Sequence, residues 1–352
     1  MLYSSDISGA KRTRPKKDAI IYLNVMVVGA SGSGKTAFVR TFCETLKDEV
    51  IKGSFQESKP MILKGPIEST ESLYTVSMEI QKEDERIALT LIDTPGFTSG
   101  FTIDHHLSYI AKYIDYQFAR TLAEETKIKR DKKIQDPHVH SCLYFIETHQ
   151  PRAISETDKY ILKFLSTRVN VIPVIGKSDT LTTAQLKVLQ TAFRNEIMEV
   201  FQIPIYGHID VEGESDNSYQ EKSQIEKSME LLQIWIDEDH DEDAQAMMDY
   251  IQQIPFRLIS YEEDAYSGRP IDVATGKEQT DKGTLGRRFP WAMVECENTK
   301  HCDFVCLKQM LLSTHRDMLR IETFERFYEQ YRSEKLMNRR LKRQPTDTVG
   351  FV

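Results

Sequence analysis

The sequence predicts an α/β fold in which a mostly parallel sheet is covered by helices on both faces. Strand-like and helix-like segments alternate along most of the chain, which is the order that a parallel sheet requires. Residues 20–28 are mostly apolar and end at Gly29, and helix-compatible residues begin at Ala37. Residues 169–176 form a continuous apolar run, as expected for a strand that is buried on both faces.

Composition limits the classes of protein that the chain can belong to. Its 352 residues, 40% of them hydrophobic, suffice for one large domain with additions or for two domains. The chain has 46 Lys and Arg residues and 54 Asp and Glu residues, which give a net charge of -8. We therefore expect no nucleic-acid partner. Five cysteines, an odd number without a signal peptide, indicate a reducing cytoplasm. No apolar run approaches the ~20 residues of a membrane-spanning helix.

A glycine-rich loop follows the first predicted strand. Gly29, followed after four residues by Gly34, Lys35 and Thr36, matches the phosphate-loop pattern G-x-x-x-x-G-K-[ST]. Lys35 can neutralise the β- and γ-phosphates of a nucleotide, and the hydroxyl of Thr36 can bind Mg²⁺. A glycine- and serine-rich linker is the alternative, but a strand before the loop and a helix after it favour phosphate binding. The predicted nucleotide contacts in this loop are Gly29, Ser31, Gly32, Ser33, Gly34, Lys35, Thr36 and Ala37.

A second motif follows a predicted strand pair. Residues 48–72 have no strong period and are interpreted as a long, functional loop. Residues 72–81 and 86–93 are predicted strands joined by a polar turn. The second strand ends in Asp93, which can hold Mg²⁺ through water, and Gly96 follows, whose N–H can reach the γ-phosphate.

The base of the nucleotide is predicted from the end of the apolar run at 169–176. There the sequence reads Gly176-Lys177-Ser178-Asp179. A carboxylate at Asp179 can accept from both N1–H and N2–H₂ of guanine, and the aliphatic stem of Lys177 can lie along the purine face. Adenine has no such donor edge, so GTP is expected to bind in preference to ATP. General GTPases usually place Asn where Gly176 stands.

The remaining elements are predicted from periodicity and capping residues. Before residue 210 we predict a helix over 104–128, a strand over 139–147, a helix capped by Ser155 and an amphipathic helix over 182–201. Residues 210–243 are predicted to be a polar segment that ends in an acidic solvated face. After it we predict a strand starting at Pro255, an exposed hairpin or loop over 262–286, a strand over 287–298 and one or two helices over 302–336.

Cys296, His301, Cys302 and Cys306 lie close together in the sequence. They could be interpreted as a metal site, but they contain no C-x-x-C pair. Packed thiols in a strand and a helix are the favoured interpretation.

A basic cluster precedes the first strand, within a predicted disordered arm over residues 1–18. It could bind anionic headgroups, each cation contributing about 1 kcal/mol near a charged leaflet. A solvated arm or a nuclear-targeting signal is the alternative. The cluster consists of Lys11, Arg12, Arg14, Lys16 and Lys17.

The order of these motifs is that of a Ras-like P-loop GTPase domain, and the chain resembles the septin family. The resemblance rests on GASGSGKT, LTLIDTPGF, VNVIPVIGKSDTLT and above all residues 287–336, which look like the septin unique element. It implies GTP or GDP with Mg²⁺, slow hydrolysis, and assembly with other septins into rods and filaments through a nucleotide-face and a terminal interface. It also implies a cytoskeletal scaffold at the cell cortex, membranes and division sites. The implied domains are 19–286 for the GTPase domain, 287–338 for the unique element and 339–352 for a tail without a coiled coil.

The resemblance also assigns roles by position. Thr70 falls where hydrolysing septins have a threonine on the γ-phosphate side and is predicted to be catalytic together with Lys35 and Gly96. Arg287 falls at a base-contacting arginine, and Ser260 stands where a base-contacting glycine is usual. Trp291 matches an interface tryptophan and is expected on the same strand as Arg287; a core tryptophan is the alternative.

Besides Ser260, two stretches depart from the septin pattern. Gly96-Phe97-Thr98-Ser99 replaces GYGD or GFGD, so an acidic residue is lost. Residues 148–158 replace the usual glycine-histidine loop, and His149 is the candidate for its role. A monomeric signalling GTPase or a P-loop kinase-type enzyme is the alternative function; the first would need an effector surface, and the second a lid and a substrate pocket.

Overall fold

The coordinates are a computed structural model, and its description covers most of the chain. The described residues are 20–59, 65, 67, 70–82, 85–98, 102–129, 135–148, 153–209, 223–278 and 283–343, without the side chains of 239 and 340–343. The predicted basic cluster and His149 lie outside these residues.

The central sheet has seven strands in the order β2-β3-β4-β1-β5-β6-β7. β1 pairs in parallel with β4 and β5, β5 with β6, and β6 with β7, whereas β2 and β3 are antiparallel. The mostly parallel sheet is therefore as predicted. The strands are β1 (Ile20–Gly29), β2 (Gln56–Glu57), β3 (Tyr74–Lys82), β4 (Glu85–Asp93), β5 (Ser141–Phe145), β6 (Val171–Ile175) and β7 (Phe256–Arg257).

Helices follow most of the strands, and the core lies between them and the sheet. Every residue of β5 and β6 is buried, so both faces of the sheet are covered there. Residues 194–200, 310–314 and 323–328 continue neighbouring helices with π-helical geometry. The helices are α1 (Lys35–Leu46), α2 (Ile103–Glu125), α3 (Glu156–Leu165), α4 (Thr183–Phe193), α5 (Gln224–Asp239), α6 (Glu242–Gln253), α7 (Phe304–Gln309), α8 (Arg316–Glu322) and α9 (Glu329–Arg343).

Two of the predicted irregular segments contain regular structure. The predicted loop 48–72 contains β2, which pairs with β3. Within the predicted polar segment, α5 begins at a capping box in which Ser223 and Glu226 satisfy each other's backbone N–H. Leu232 of α5 is buried, so this helix is stabilised by its cap and by a narrow apolar stripe that the charged residues obscure in the sequence.

The single strand predicted over 287–298 is wrong. These residues form a hairpin of β8 (Gly286–Arg288) and β9 (Met293–Glu295). Pro290 has no N–H for a ladder, and the N–H of Phe289 donates to the Ala292 carbonyl at 2.8 Å, which closes a turn between the strands. Trp291 therefore lies in a turn and not on the strand that carries Arg287.

The C-terminal helices are joined to the sheet by a buried amide. Asn170, 1% exposed, precedes β6 and donates from Nδ2 to the carbonyl oxygens of His140 and Leu319, at 3.0 and 3.1 Å, and to Thr323 Oγ1 at 3.1 Å. Leu319 and Thr323 belong to the helical segment that starts at Arg316. One side chain thus bridges the sheet and the C-terminal helices.

Replacing Asn170 by Ala should lower the free energy of unfolding by about 1–3 kcal/mol, because the buried carbonyl oxygens of His140 and Leu319 each lose one of their donors and the bridge between the sheet and the helices is lost. Urea denaturation followed by circular dichroism measures the loss. Asn195→Ala, at an exposed position on the surface, is the matched control and should stay within about 0.5 kcal/mol of the wild type. Equal stabilities of the two variants would contradict the bridging role.

Candidate functional site

A cavity of about 580 Å³ lies where the parallel strands end. Polar and charged side chains from six separate stretches of the chain converge on it, as expected at the carboxyl edge of an open α/β sheet. The lining residues are Ser31, Gly32, Gly34, Lys35, Thr36, Ala37, Ile67, Thr70, Thr94, Gly96, Lys177, Asp179, Ser260, Tyr261, Glu262, Glu263 and Arg287.

Residues 29–36, the phosphate loop, form one wall of the cavity between β1 and α1. Gly32 and Gly34 have φ of +77° and +101°, which disfavour any other residue there. Gly34 is also the N-cap of α1, whose first N–H groups have no partner within the helix. Ser33 Oγ is buried and unpartnered. These donors and the helix dipole suit an anion.

Lys35 crosses the floor of this loop. Its Nζ donates to the carbonyl oxygens of Gly29 and Ala30, at 3.0 and 2.7 Å. Burial lowers the pKa of this ammonium to about 8, although the nearby carboxylate of Asp93 raises it. A bound phosphate would supply a negative charge that stabilises the buried ammonium of Lys35.

Three oxygen atoms meet beside the loop. Thr36 Oγ1 donates to Asp93 Oδ2 at 2.7 Å and lies 3.1 Å from Thr70 Oγ1, which donates to the same carboxylate oxygen at 3.3 Å. Burial raises the pKa of Asp93, against the opposing hydrogen bonds from Thr36 and Thr70. Hydroxyl and carboxylate oxygens in such a cluster are the donor set that Mg²⁺ prefers, so these residues fit the implied metal.

The segment after β4 packs directly on the phosphate loop. The Phe97 carbonyl accepts from Ser31 N at 2.9 Å, and Phe97 N donates to the Gly29 carbonyl at 3.2 Å. A Cβ on Gly96 would lie 2.5 Å from Ser31 Cα and 3.0 Å from Lys35 Nζ. Only glycine permits this approach, which brings the Gly96 backbone to the phosphate side of the cavity.

The opposite wall carries the predicted base contacts. The Asp179 side chain is 1% exposed, and its Oδ2 accepts from Arg287 Nη1 at 2.9 Å. Its second oxygen, Oδ1, is buried and has no partner. Lys177 lies over Gly34, with its Cγ 3.6 Å from where a Cβ on Gly34 would be. A carboxylate that is buried and half satisfied requires a donor, and guanine carries two on one edge.

Gly176 explains one departure from the pattern of general GTPases. A Cβ at this position would lie 2.2 Å from the Ser33 carbonyl oxygen and 2.7 Å from Phe145 Cδ1. No side chain fits between the phosphate loop and β5. The asparagine of other GTPases is therefore excluded here by packing.

Most predicted site residues line this cavity. Three lie directly behind it: Gly29, whose carbonyl receives Lys35, Ser33, whose carbonyl meets Gly176, and Asp93, which is bonded to Thr36. Sequence reasoning missed five lining residues. These are Ile67, Thr94, Tyr261, Glu262 and Glu263. The last three directly follow Ser260, so their place after a short strand was the available signal.

The β8–β9 hairpin carries two stacked aromatic rings beside the cavity residue Arg287, and one of them is exposed. Trp291 is 81% exposed, and its ring stacks on that of Phe289 with centroids 5.6 Å apart. The alternative of a core tryptophan is thereby excluded. The contact of the Trp291 ring with Phe289 lies within the hairpin, outside the buried core.

The cysteine group near the hairpin is arranged for packing. Cys302 Sγ donates to the Cys296 carbonyl at 3.0 Å, and both residues are buried. His301 Nδ1 accepts from Glu295 N at 3.0 Å. Among the described residues, no group of three or more His, Cys, Asp and Glu side chains is placed to hold a metal ion.

Within that same part of the chain, no helix combines the length and the apolar character needed to cross a membrane.

Comparison with known proteins identifies the family. The septin family model matches residues 20–345. The septin homolog spn3 of Schizosaccharomyces pombe is 30% identical over 335 residues, which cover 94% of this chain and 77% of that protein. Cell division control protein 11 of Saccharomyces cerevisiae is 32% identical, with 94% and 70% covered.

Among solved structures, the septin GTPase domain from Chlamydomonas reinhardtii has the same fold. It superposes with a TM-score of 0.59 at 20% identity, covering 89% of this chain and 99% of that chain. The family match and the level of identity confirm the resemblance that the sequence motifs indicated. The chain therefore belongs to the septin family of cytoskeletal GTP-binding proteins.

Proposed function

We propose that this septin binds GTP and GDP with Mg²⁺ in the cavity, hydrolyses GTP slowly, and assembles with other septin subunits across the face that carries Trp291. The observation that carries the proposal is the buried, unpartnered Asp179 Oδ1 opposite the phosphate loop. A guanine base would satisfy this oxygen while its phosphates occupy the loop. Neither a monomeric signalling GTPase nor a P-loop kinase-type enzyme is favoured by any feature of the site.

Base selection would depend on the two oxygens of Asp179. With Oδ2 held by Arg287, Oδ1 is free to accept from the base, and the guanidinium fixes the carboxylate in place. Lys177 would cover the purine face with its stem. Ser260 and Arg287 would contact the base from the side of β7 and β8, and Ala37 would contribute its backbone N–H on the phosphate side.

Replacing Asp179 by Asn should lower GTP affinity about 10- to 100-fold, because the amide offers one acceptor where the carboxylate offers two. ATP affinity should stay low and unchanged, so the preference for GTP over ATP should decrease. Competition of both nucleotides against a fluorescent GDP measures it. Asp237→Asn, on the exposed side of α5, is the control with the same change of charge. Equal competition by ATP and GTP in the wild type would refute the base assignment.

Hydrolysis would use few groups. Thr36, Thr70 and, through water, Asp93 would hold Mg²⁺, which neutralises charge on the β- and γ-phosphates when bound. Lys35 would stabilise the same charge, and the Gly96 N–H would contact the γ-phosphate. Phe97 follows Gly96 and cannot orient a water molecule with its side chain. We therefore propose a rate on the order of 10⁻⁴ to 10⁻³ per second, the intrinsic scale of Ras-type enzymes.

Thr70→Ala should reduce the single-turnover rate of GTP hydrolysis at least ~10-fold, since an oxygen beside the metal and the γ-phosphate is lost. GDP affinity should change little, because the γ-phosphate is absent from GDP. Rapid-quench or phosphate-release assays with excess enzyme measure the rate. Thr191→Ala, on the exposed face of α4, should behave as the wild type. An unchanged rate in Thr70→Ala would remove Thr70 from the catalytic group.

Assembly is proposed across the nucleotide face. Trp291 is exposed and stacks on the half-buried Phe289, and Arg287 of the same hairpin reaches the proposed base contact Asp179. Exposed aromatic rings of this kind are typical anchors of protein interfaces. Because the family is cytoskeletal, the partner is proposed to be another septin subunit, within rods that also use a terminal interface.

Trp291→Ala should weaken dimerisation at least ~30-fold, which corresponds to the ~2 kcal/mol of an interface anchor. The melting temperature of the monomer should not change, since the ring is exposed. Analytical ultracentrifugation and thermal melting test both statements. Trp235→Ala is the matched control, as Trp235 is the other tryptophan of the chain and is 41% exposed on α5. Normal dimerisation of Trp291→Ala would exclude the hairpin from the interface.

The remaining proposals concern location. Lys11, Arg12, Arg14, Lys16 and Lys17 are proposed to bind anionic lipid, with an attraction that falls with rising salt. The name of the yeast relative, a cell division control protein, supports a role at division sites. A cytoplasmic scaffold at the cell cortex is the corresponding location.

A further inference from the structure

Glu263 connects two loops on opposite sides of the cavity. Its Oε1 accepts from the backbone N–H of Ile67 at 2.8 Å, and its Oε2 accepts from Arg40 Nη1 at 2.9 Å. Gly65, Ile67 and Thr70 belong to one loop, the Thr70 loop. Glu263 follows β7, on the side of the predicted base contacts. The carboxylate thereby spans a sequence separation of 196 residues to Ile67.

Arg40 strengthens this connection from α1. Its Nη1 also donates to the Gly65 carbonyl at 2.7 Å, so one guanidinium binds both the loop and Glu263. Arg40 is 4% exposed and follows Thr36 by one helical turn, which places both side chains on the same face of α1. The helix that supplies a metal contact thus also holds the loop that supplies Thr70.

Close backbone packing completes the clamp. A Cβ on Gly268 would lie 1.9 Å from the Gly65 carbonyl oxygen, so the segment after Glu263 lies directly against the Thr70 loop. The backbone of Glu263 is itself paired with that of Pro270. The Thr70 loop is therefore held by a carboxylate, a guanidinium and a backbone contact, all outside the group that would touch the phosphates.

From this arrangement we infer that Glu263 is a positioning residue for Thr70: its carboxylate holds the loop in the arrangement that places the Thr70 hydroxyl beside Thr36 and Asp93. The inference rests on the proposed role of Thr70 in hydrolysis. The side-chain hydrogen bonds of Glu263 go to Ile67 and Arg40 and not to Thr36, Thr70 or Asp93, so its effect on hydrolysis would pass through the Thr70 loop. It should act on the γ-phosphate step and spare binding of GDP.

The test is Glu263→Gln in the full chain, assayed by single-turnover GTP hydrolysis and by binding of a fluorescent GDP. Glutamine has one acceptor for two donors, and its NH₂ group would face either Ile67 N–H or Arg40. We expect hydrolysis to slow about 10-fold and GDP affinity to change less than 3-fold. Glu263→Asp keeps the negative charge beside Arg40 but is one methylene shorter, and it should slow hydrolysis similarly. Glu278→Gln, exposed in the same segment, is the control and should match the wild type.

A double-mutant cycle separates positioning from a general loss of structure. In the Thr70→Ala background, Glu263→Gln should change the rate less than 2-fold, because the side chain that it positions is gone. A full 10-fold effect in that background, or wild-type hydrolysis in Glu263→Gln, would overturn the inference. An unchanged rate in Thr70→Ala would overturn the proposed role of Thr70 and this inference together. Thermal melting of each variant excludes unfolding as the cause of a slow rate.

Discussion

Backbone contacts at three glycines fix the position of the phosphate loop, and the rest of the site depends on them. A Cβ on Gly29 would lie 2.6 Å from the Phe145 carbonyl oxygen, one on Gly96 would lie 2.5 Å from Ser31, and one on Gly176 would lie 2.2 Å from the Ser33 carbonyl. These contacts hold the loop against β5, against the segment after β4 and against the segment after β6. Three polar motifs can therefore meet in one cavity only because no side chain separates their backbones.

The parts of the site that sequence could predict are those with local signals. The phosphate loop, Asp93 and Asp179 each follow a strongly apolar strand, and the carboxyl ends of parallel strands meet at one edge of the sheet. Arg40, Ile67 and Glu263 have no such signal, because their contacts join residues 196 or 223 positions apart. The sequence predicts one strand in place of the hairpin because the apolar run over 289–294 continues through the turn without a polar residue. The helix α5 was missed because charged residues obscure its single apolar stripe.

The predicted GTPase domain and the predicted unique element contribute residues to the same cavity and core. The predicted domain boundary between 286 and 287 falls inside β8, whose Arg287 is paired with Asp179 of the preceding part. Asn170, just before β6, binds the C-terminal helices, and Arg257 of β7 forms an ion pair at 2.7 Å with Asp303 before α7. The residues after β7 therefore complete the nucleotide cavity and the core, rather than forming an appendage to them.

The short β8–β9 hairpin would link nucleotide affinity to any assembly built across this face. A neighbour seated on Trp291 would also immobilise β8 and with it Arg287, which lines the cavity and donates to Asp179. By reciprocity, whatever free energy the nucleotide lends to the contact, the contact lends to nucleotide retention. Nucleotide would then leave mainly from free subunits and rod ends. Each subunit would then keep the nucleotide with which it joined. The fraction of GDP in a filament would therefore increase with the time since its subunits joined.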